Sequence, residues 1–535
     1  MRRIILLSFL FTALGYQSCE DNLEAEIYSE ITPDNFYQNE LQLAAAASAA
    51  YTPLYGYWGN HELSDLPSDQ STVPVRSNGG WNDGGLWPRL MRHEFNARDF
   101  VGGRWNTFFE GVGNCNRLIE IFTPQVGADA PIIFELKTLR AFYYYQLLSF
   151  FGNIPIETEF AGADPSPEQS SAPEVFEFIE QELLQSIDNL KEEKNISTYG
   201  KINKWVGYTL LAQLYLNAER FDAGPHYQEA ADAAAVVINS GIYNLETGYF
   251  KNFKVNNEDS NENIFVVPYD QQNATGFVAW VQSLNQSARP TYDLANQPWG
   301  GFTIQTEFYE AFEEEDNRKG MFIVGQQYTI EAQPTWSDIE GFFYANPQEE
   351  FQLVDCTEDF NRLTESEKTE MEAAGIPVDC NIKIRPEYII TADRGIAPYE
   401  DGAKYGKYEI ELHQRNPQMS NDFVIYRLGE VILMRAEALW RMNPGDGEAL
   451  SLVNQIRMRA GLEPLSKLTE DDLYWETKKE LAIENKAREI TIRFGHWQDG
   501  WFLKPANPEE TYKEFYPIPA DQLQSNVNLE QNPGY

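Results

Sequence analysis

Apolar residues recur at helical spacing on both flanks of the chain and lose that spacing in the middle. Leu136, Leu139, Tyr143, Leu147 and Phe150 fall on one helix face, and Phe176, Ile179, Leu183, Ile187 and Leu190 on another. Ser171 and Pro173 form a start signal for the second. Val206, Leu210, Leu214 and Ala218 make a further stripe, followed by Ala230, Ala234 and Val237 with Gly241 as a stop. An alanine-rich helix is expected over Leu41 to Tyr55. Late in the chain the pattern returns at Leu428, Ile432, Ala436 and Leu439, then at Leu450, Val453, Ile456 and Ala460 before Gly461. Residues 470–493 read as one charged helix, and Pro517, Pro519 and Pro533 predict an extended tail from Tyr512. Paired helices with small residues on their faces resemble a tetratricopeptide array without a fixed period.

Residues 244–420 are rich in Asn, Gln, Gly, Pro and aromatic residues, with short candidate strands at Ile264–Val267 and Tyr388–Thr391. A segment this long is an ordered insertion or a second lobe, since structureless loops in folded domains are short. The expected fold is therefore mainly α: a tetratricopeptide-like helical scaffold with a large irregular, loop-rich ligand-binding lobe.

The N-terminus carries a different signal. Arg2 and Arg3 precede the apolar run Ile4 to Leu14, and Ser18 is a small residue before Cys19. The run is too short to span a bilayer and reads as an export signal. A cysteine at the first mature position resembles a bacterial lipoprotein signal, in which that thiol is acylated. The alternative is an ordinary signal peptide with an incidental cysteine. The expected organisation is a signal over 1–18, an acidic tether over 19–30, an N-terminal helical domain over 31–243 and a C-terminal domain over 244–535. The last divides into the irregular lobe 244–420 and closing helices 421–535.

Among 535 residues, 82 are Asp or Glu and 41 are Lys or Arg, giving a net charge of −41. Such a surface repels nucleic acid and anionic headgroups, so neither is expected as a partner. Four cysteines make no disulfide framework. Cys356 and Cys380 flank a polar, acidic stretch and are candidates to pair in an exported protein, whereas Cys115 reads as a buried free thiol.

Catalytic motifs are absent from the sequence. None of His61, His93, His226, His413 and His496 sits in an H-E-x-x-H or beside a nucleophile motif. There is no G-x-S-x-G and no Walker loop, and Gly111-Val112-Gly113 stops short of a dinucleotide fingerprint. No cofactor and no metal are expected. A pair of carboxylates hydrolysing glycosides is the enzymatic alternative, though with 82 acids adjacency alone proves nothing.

The distinctive constellations are aromatic, drawn from 12 Trp, 29 Tyr and 32 Phe, many of them in irregular segments where binding residues concentrate. The first runs from Val73 to Arg89 and places Trp81 and Trp87 in a glycine-rich loop beside Arg76, Asn82, Asp83 and Arg89. Flat rings offer apolar faces and the polar neighbours offer paired hydrogen bonds. This suits a sugar ring, which has a C–H face and a hydroxyl edge. The same tryptophans could instead pin the loop to the core. The second constellation is Trp280, Tyr292, Trp299 and Phe302, and the third Trp336, Phe342, Phe343 and Tyr344.

Several segments in a fixed order carry a resemblance. They are Leu139-Arg-Ala-Phe-Tyr-Tyr-Tyr-Gln-Leu-Leu148 with Phe151-Gly-Asn-Ile-Pro155, and Trp105 to Glu120 with Asn114-Cys-Asn116. Later come Arg427-Leu-Gly-Glu-Val-Ile-Leu-Met-Arg-Ala-Glu-Ala-Leu439, Ala449 to Leu462, Tyr516-Pro-Ile-Pro519 and Asn528-Leu-Glu-Gln-Asn-Pro-Gly-Tyr535. Together they resemble the SusD/RagB family of Bacteroidetes outer-membrane lipoproteins over nearly the whole mature chain. One departure is Arg493-Phe-Gly-His-Trp-Gln-Asp499, where the family pattern supplies an acid–arginine pair.

The resemblance implies a helical scaffold with a glycan-binding lobe, lipid-anchored to the outer membrane and facing outward. It implies a SusC-like TonB-dependent transporter as partner and an oligosaccharide or polysaccharide as ligand. The acidic residues after Cys19 are similar to the family's surface-export signal, and Arg76 and Trp81 to Trp87 fall where the family commonly places sugar-stacking aromatics. The charge of the chain leans toward a neutral glucan. Peptides or other nutrients are an alternative cargo, and a surface glycoside hydrolase a less favoured one. Cys19→Ala is expected to release the protein from membranes, as measured by fractionation of cells lacking the transporter; continued retention would exclude lipidation as the anchor.

Overall fold

The computed structural model describes residues 39–99, 101–347, 364–373, 383–388 and 396–535. Cys19, Cys356, Cys380 and the tether lie outside them. Contacts divide the chain into residues 1–46 and 47–535. The main helices are α1 (Glu40–Tyr51), α2 (Val101–Val126), α3 (Pro131–Phe151), α4 (Ala172–Ser186), α5 (Lys204–Leu216) and α6 (Tyr227–Asn239). After a long irregular stretch follow α7 (Leu428–Met442), α8 (Gly447–Arg459), α9 (Glu470–Glu480) and α10 (Ala487–Arg493). Helix α1 stops short of Tyr55 because Pro53, which has no N–H to give, opens a 3₁₀ turn over Thr52–Asn60.

Helices adjacent in sequence pack side by side from α2 to α6, and the stack then continues from α6 directly onto α7, α8 and α9. The irregular stretch is thus inserted between two neighbouring helices. Its ends are clamped by an antiparallel pair, β1 (Asn263–Val267) with β4 (Phe423–Arg427), in which Phe423 opposes Val267 and Arg427 opposes Asn263. Both strands are buried throughout. A hairpin of β2 (Pro334–Ser337) and β3 (Gly341–Tyr344) lies within the insertion. The candidate strand at Ile264 is therefore real, whereas Tyr388 forms no strand and residues 389–391 lie outside the described residues.

Local chemistry sets the helix ends. Asn203 caps α5 by accepting from the N–H groups of Trp205 and Val206 at 3.0 and 3.1 Å. At α4, Glu174 reaches back to the Ser171 N–H at 2.8 Å, the reciprocal half of a capping box. Helix α3 departs from its expected single stripe: nearly every residue from Leu136 to Phe151 is buried, because α2 and α4 pack against it while Phe142 meets Phe265 and Tyr426 of the β1–β4 pair and Tyr145 bonds Glu489 of α10. Gly111 on α2 permits the close approach, since a Cβ there would sit 2.5 Å from the Tyr143 ring. Cys115 lies in the same interface as a buried free thiol.

The expected single helix over 470–493 is two. Between them Ile483 and Asn485 adopt left-handed backbone angles, and the buried Asp65 carboxylate accepts the N–H groups of Asn485 and Ala487 at 3.1 and 3.0 Å, capping α10. The tail is likewise not simply extended. A short helix forms over Ala520–Ser525, and Asn532 donates to the carbonyls of Phe151 and Tyr516 at 2.8 and 2.7 Å. This ties the chain end to the end of α3. The acid–arginine pair missing from the Arg493 segment is supplied by α7, where Glu437 receives Arg493 at 2.7 and 2.8 Å.

A buried charge network joins the insertion to the late helices. Arg427 donates to Glu484 at 2.8 Å, to Glu262 at 2.9 Å and to Glu480 at 2.5 Å. Arg459 binds Glu262 and Glu480, Arg318 binds Asp316, Glu476 and Glu480, and Lys407 binds Glu484. Burial would raise the Glu480 and Glu262 carboxyls, but the surrounding arginines outweigh it and hold both below the ordinary range. Their stabilisation is therefore complete above about pH 4.3, the value of an unfolded glutamate, and is lost as pH falls through the lower folded values. Arg427→Met leaves its acids uncompensated and is expected to cost about 3–5 kcal/mol in denaturant unfolding. A loss below about 1 kcal/mol would mean that the network contributes little.

Candidate ligand-binding site

The glycine-rich loop is built on Arg76. Val75 and Arg76 pair in parallel with Ile396 and Ala397, and the Arg76 N–H closes a turn onto Gly80 O at 2.9 Å. The guanidinium is fully buried, donating to the carbonyls of Pro398 at 2.7 Å, Asp401 at 3.3 Å and Gly301 at 3.2 Å. It also lies 5.3 Å from the Tyr399 ring centre. Burial pulls its pKa down, and nearby Tyr388 and Asp401 oppose that shift. Arg76 thus fastens three loops together from inside and offers nothing to solvent.

On that base the first two aromatic constellations meet. Trp81 stands 5.3 Å from Trp87, 6.5 Å from Trp299 and 5.4 Å from Phe302, ring centre to ring centre. Its indole N–H donates to Trp299 O at 3.0 Å. Trp299 is 48% exposed, Trp81 partly exposed, and Trp87 and Phe302 are buried beneath them. The Trp87 indole donates to Asp83 at 2.5 Å. Arg89 holds Asp99 at 2.8 Å and Gly84 O at 3.2 Å, which fixes the far side of the loop. Asn78, Asn82 and Asp83 are exposed along the rim.

Two glycines make the platform possible. A Cβ on Gly300, itself at φ 67°, would lie 2.4 Å from the Tyr399 ring, and one on Gly301 would lie 2.2 Å from Trp81. The backbone threads between the two rings with no room for a side chain. Trp81 has φ 59°, a left-handed conformation that is costly for an aromatic residue and persists only where surroundings dictate it. The signal for this pairing is in the sequence as Gly79-Gly80-Trp81 and its mirror Trp299-Gly300-Gly301.

Other expected site residues lie elsewhere. Trp280 is 1% exposed in the short helix Ala279–Ser283, whose carbonyls at Val281 and Gln282 receive the N–H groups of Trp299, Gly301 and Phe302. That helix supports the platform from behind, and Trp280 itself has no face to offer a ligand. Tyr292 is fully buried against Phe342, 5.2 Å away. The third constellation lines the β2–β3 hairpin, with Phe343 exposed and Trp336 packed on Phe250. His93 is buried between Phe95 and Trp497 and bonded to Pro67 O at 2.6 Å, a structural position. Among the described residues no cluster of three or more His, Cys, Asp or Glu is placed to hold a metal.

Comparison with known proteins fits this geometry. Residues 403–494 match a model described as the SusD family, and residues 66–216 one described as starch-binding associating with outer membrane. The chain is SusD/RagB-like over both segments. The starch-binding protein SusD of Bacteroides thetaiotaomicron is 24% identical over 75% of this chain and 72% of its own length. SusD-like protein P2 of Formosa agariphila is 22% identical over 99% of each. Surface glycan-binding protein A from Bacteroides thetaiotaomicron, solved in complex with laminarihexaose, has TM-score 0.68 and 21% identity, covering 92% of this chain and 99% of that one. The family-model match over 66–216 includes the Trp81 loop, whereas Trp299 lies outside both matched segments. In this SusD/RagB-like chain, Gly301→Ala is expected to displace Trp81, seen as a changed tryptophan emission spectrum with only a small change in Tm. An unchanged spectrum would mean that the loop accommodates the methyl without moving the ring.

Proposed function

We propose that this SusD/RagB-like chain is a non-catalytic, surface-exposed glycan receptor of the outer membrane, tethered by lipid on Cys19 after removal of residues 1–18. It captures oligosaccharides, with neutral glucans as the favoured class, and passes them to a SusC-like TonB-dependent transporter. The observation carrying this reading is the pair of partly exposed indoles, Trp81 and Trp299, brought to 6.5 Å from distant segments over buried Trp87 and Phe302. Indole faces stack on the C–H face of a sugar ring, and the exposed Asn78, Asn82 and Asp83 provide hydrogen-bonding groups for hydroxyls. Two relatives support a neutral glucan, one named for starch and one solved with laminarihexaose. The strongly acidic chain disfavours anionic polymers by the same charge argument.

Affinity electrophoresis against starch, laminarin, pectin and alginate tests the ligand class, with retardation expected for one of the first two. Incubation should release no new reducing ends; released sugar would make the protein an enzyme. Trp81→Ala and Trp299→Ala should each weaken binding by about 2 kcal/mol, roughly thirtyfold, with the fold intact. Unchanged affinity in both would move the site to the β2–β3 hairpin around Phe343.

A further inference from the structure

The rim of the tryptophan platform carries three exposed polar side chains, Asn78, Asn82 and Asp83, and the fold prepares them differently. Asn78 sits in the turn that Arg76 closes, and its Oδ1 accepts the Gly80 N–H at 2.8 Å. A backbone N–H can meet only the oxygen of a carboxamide, so this bond fixes which way the group faces. The Tyr399 hydroxyl braces it, 3.4 Å from Nδ2 and 3.5 Å from Oδ1. The second N–H of Nδ2 has no partner among the described residues. Tyr399 also locates that N–H. Its ring lies against Gly300, where a Cβ would sit 2.4 Å away, and Gly300 follows Trp299. Its hydroxyl would lie 2.9 Å from a Cβ on Gly80, which precedes Trp81. The carboxamide therefore stands at the edge where the two platform segments meet.

Neighbouring donors are already committed. The Trp81 indole N–H goes to Trp299 O, that of Trp87 to Asp83, and the Arg89 guanidinium to Asp99 and Gly84 O. Asp83 itself, as a carboxylate, offers only acceptors. Asn82 is bonded through its backbone carbonyl, by the Gly85 N–H. Its side chain makes no bond among the described residues, so a ligand would have to order it at an entropic cost that Asn78 has already met in the turn. We propose that Asn78 is the specificity-determining donor of the platform: its preset Nδ2–H bonds a hydroxyl oxygen of the neutral saccharide stacked on Trp81 and Trp299. The inference rests on the receptor reading and adds to it the polar group that reads the hydroxyl edge.

Isothermal titration of the full mature chain with maltohexaose and with laminarihexaose tests it. Asn78→Ala should weaken binding about fivefold, the loss of one hydrogen bond, whereas Asn82→Ala should change it less than about twofold. Asn78→Asp keeps an oxygen for the Gly80 N–H and loses only the donor, so it should bind as weakly as Asn78→Ala. Wild-type affinity in Asn78→Asp would mean that the side chain merely holds the turn, and would overturn the proposal. A larger loss in Asn82→Ala than in Asn78→Ala would overturn it too. Wild-type affinity in Asn78→Ala, with Trp81→Ala and Trp299→Ala both weakened, would sink Asn78 and leave the platform standing. Full affinity in both tryptophan variants would remove the platform, and this proposal with it. No binding of either sugar by the wild type would overturn the neutral-glucan class and the role of Asn78 together.

Discussion

Arg427 is the residue on which the architecture turns. It ends the strand that closes the insertion, immediately precedes α7, and is fully buried among Glu262, Glu480 and Glu484. Those carboxylates come from the entrance of β1, from α9 and from the turn after it. With Arg459, Arg318 and Lys407 the cluster contains nearly balanced charge, each group held by several partners. A buried ion network of this kind adds little stability over an apolar core of the same shape. Removing one member, however, strands the others in a medium that cannot solvate them. What it supplies here is placement: the irregular segment enters and leaves the helical stack at one defined point.

That placement reaches the tryptophans through Phe423, on the strand that Arg427 ends, whose ring lies 5.7 Å from that of Trp58. Trp58, stacked on His61, donates its indole N–H to Gln282 at 2.7 Å. The backbone carbonyl of Gln282 receives Gly301 and Phe302. Gly301 in turn offers its own carbonyl to Arg76 and its bare α-carbon to Trp81. Polar groups thus locate the loops, while glycines let the rings approach. The site sits on irregular backbone, yet its position is set by buried side chains.

The helical stripes were legible because each has its own 3.6-residue rhythm, and α4 to α8 fall where that rhythm puts them. Elsewhere tertiary contacts override it. Periodicity cannot see Asp65, more than four hundred residues away, breaking the helix at Asn485, nor the all-round burial of α3. The aromatic segments were visible as composition, but not the meeting of Trp81 with Trp299. Arg76 looked like a ligand group and proves to be an internal brace. Trp280 and Tyr292 were singled out for ring type, whereas exposure, which no local pattern encodes, separates them from Trp299.

The direct seating of α6 on α7 also bears on how the chain reaches its native state. The two helices are separated by close to two hundred residues, so their contact forms only after a long segment has been gathered between them. The entropic penalty of closing such a loop grows only logarithmically with its length, but non-local pairings of this kind slow the search for the native arrangement. The early helices α2 to α5 can assemble on local contacts alone, leaving the apolar flank of α6 open until the last fifth of the chain arrives. A molecule stalled at that stage would present Ala230, Ala234 and Val237, all fully buried at the end, as a sticky edge. The interval before α7 docks is therefore when this protein most needs protection from aggregation.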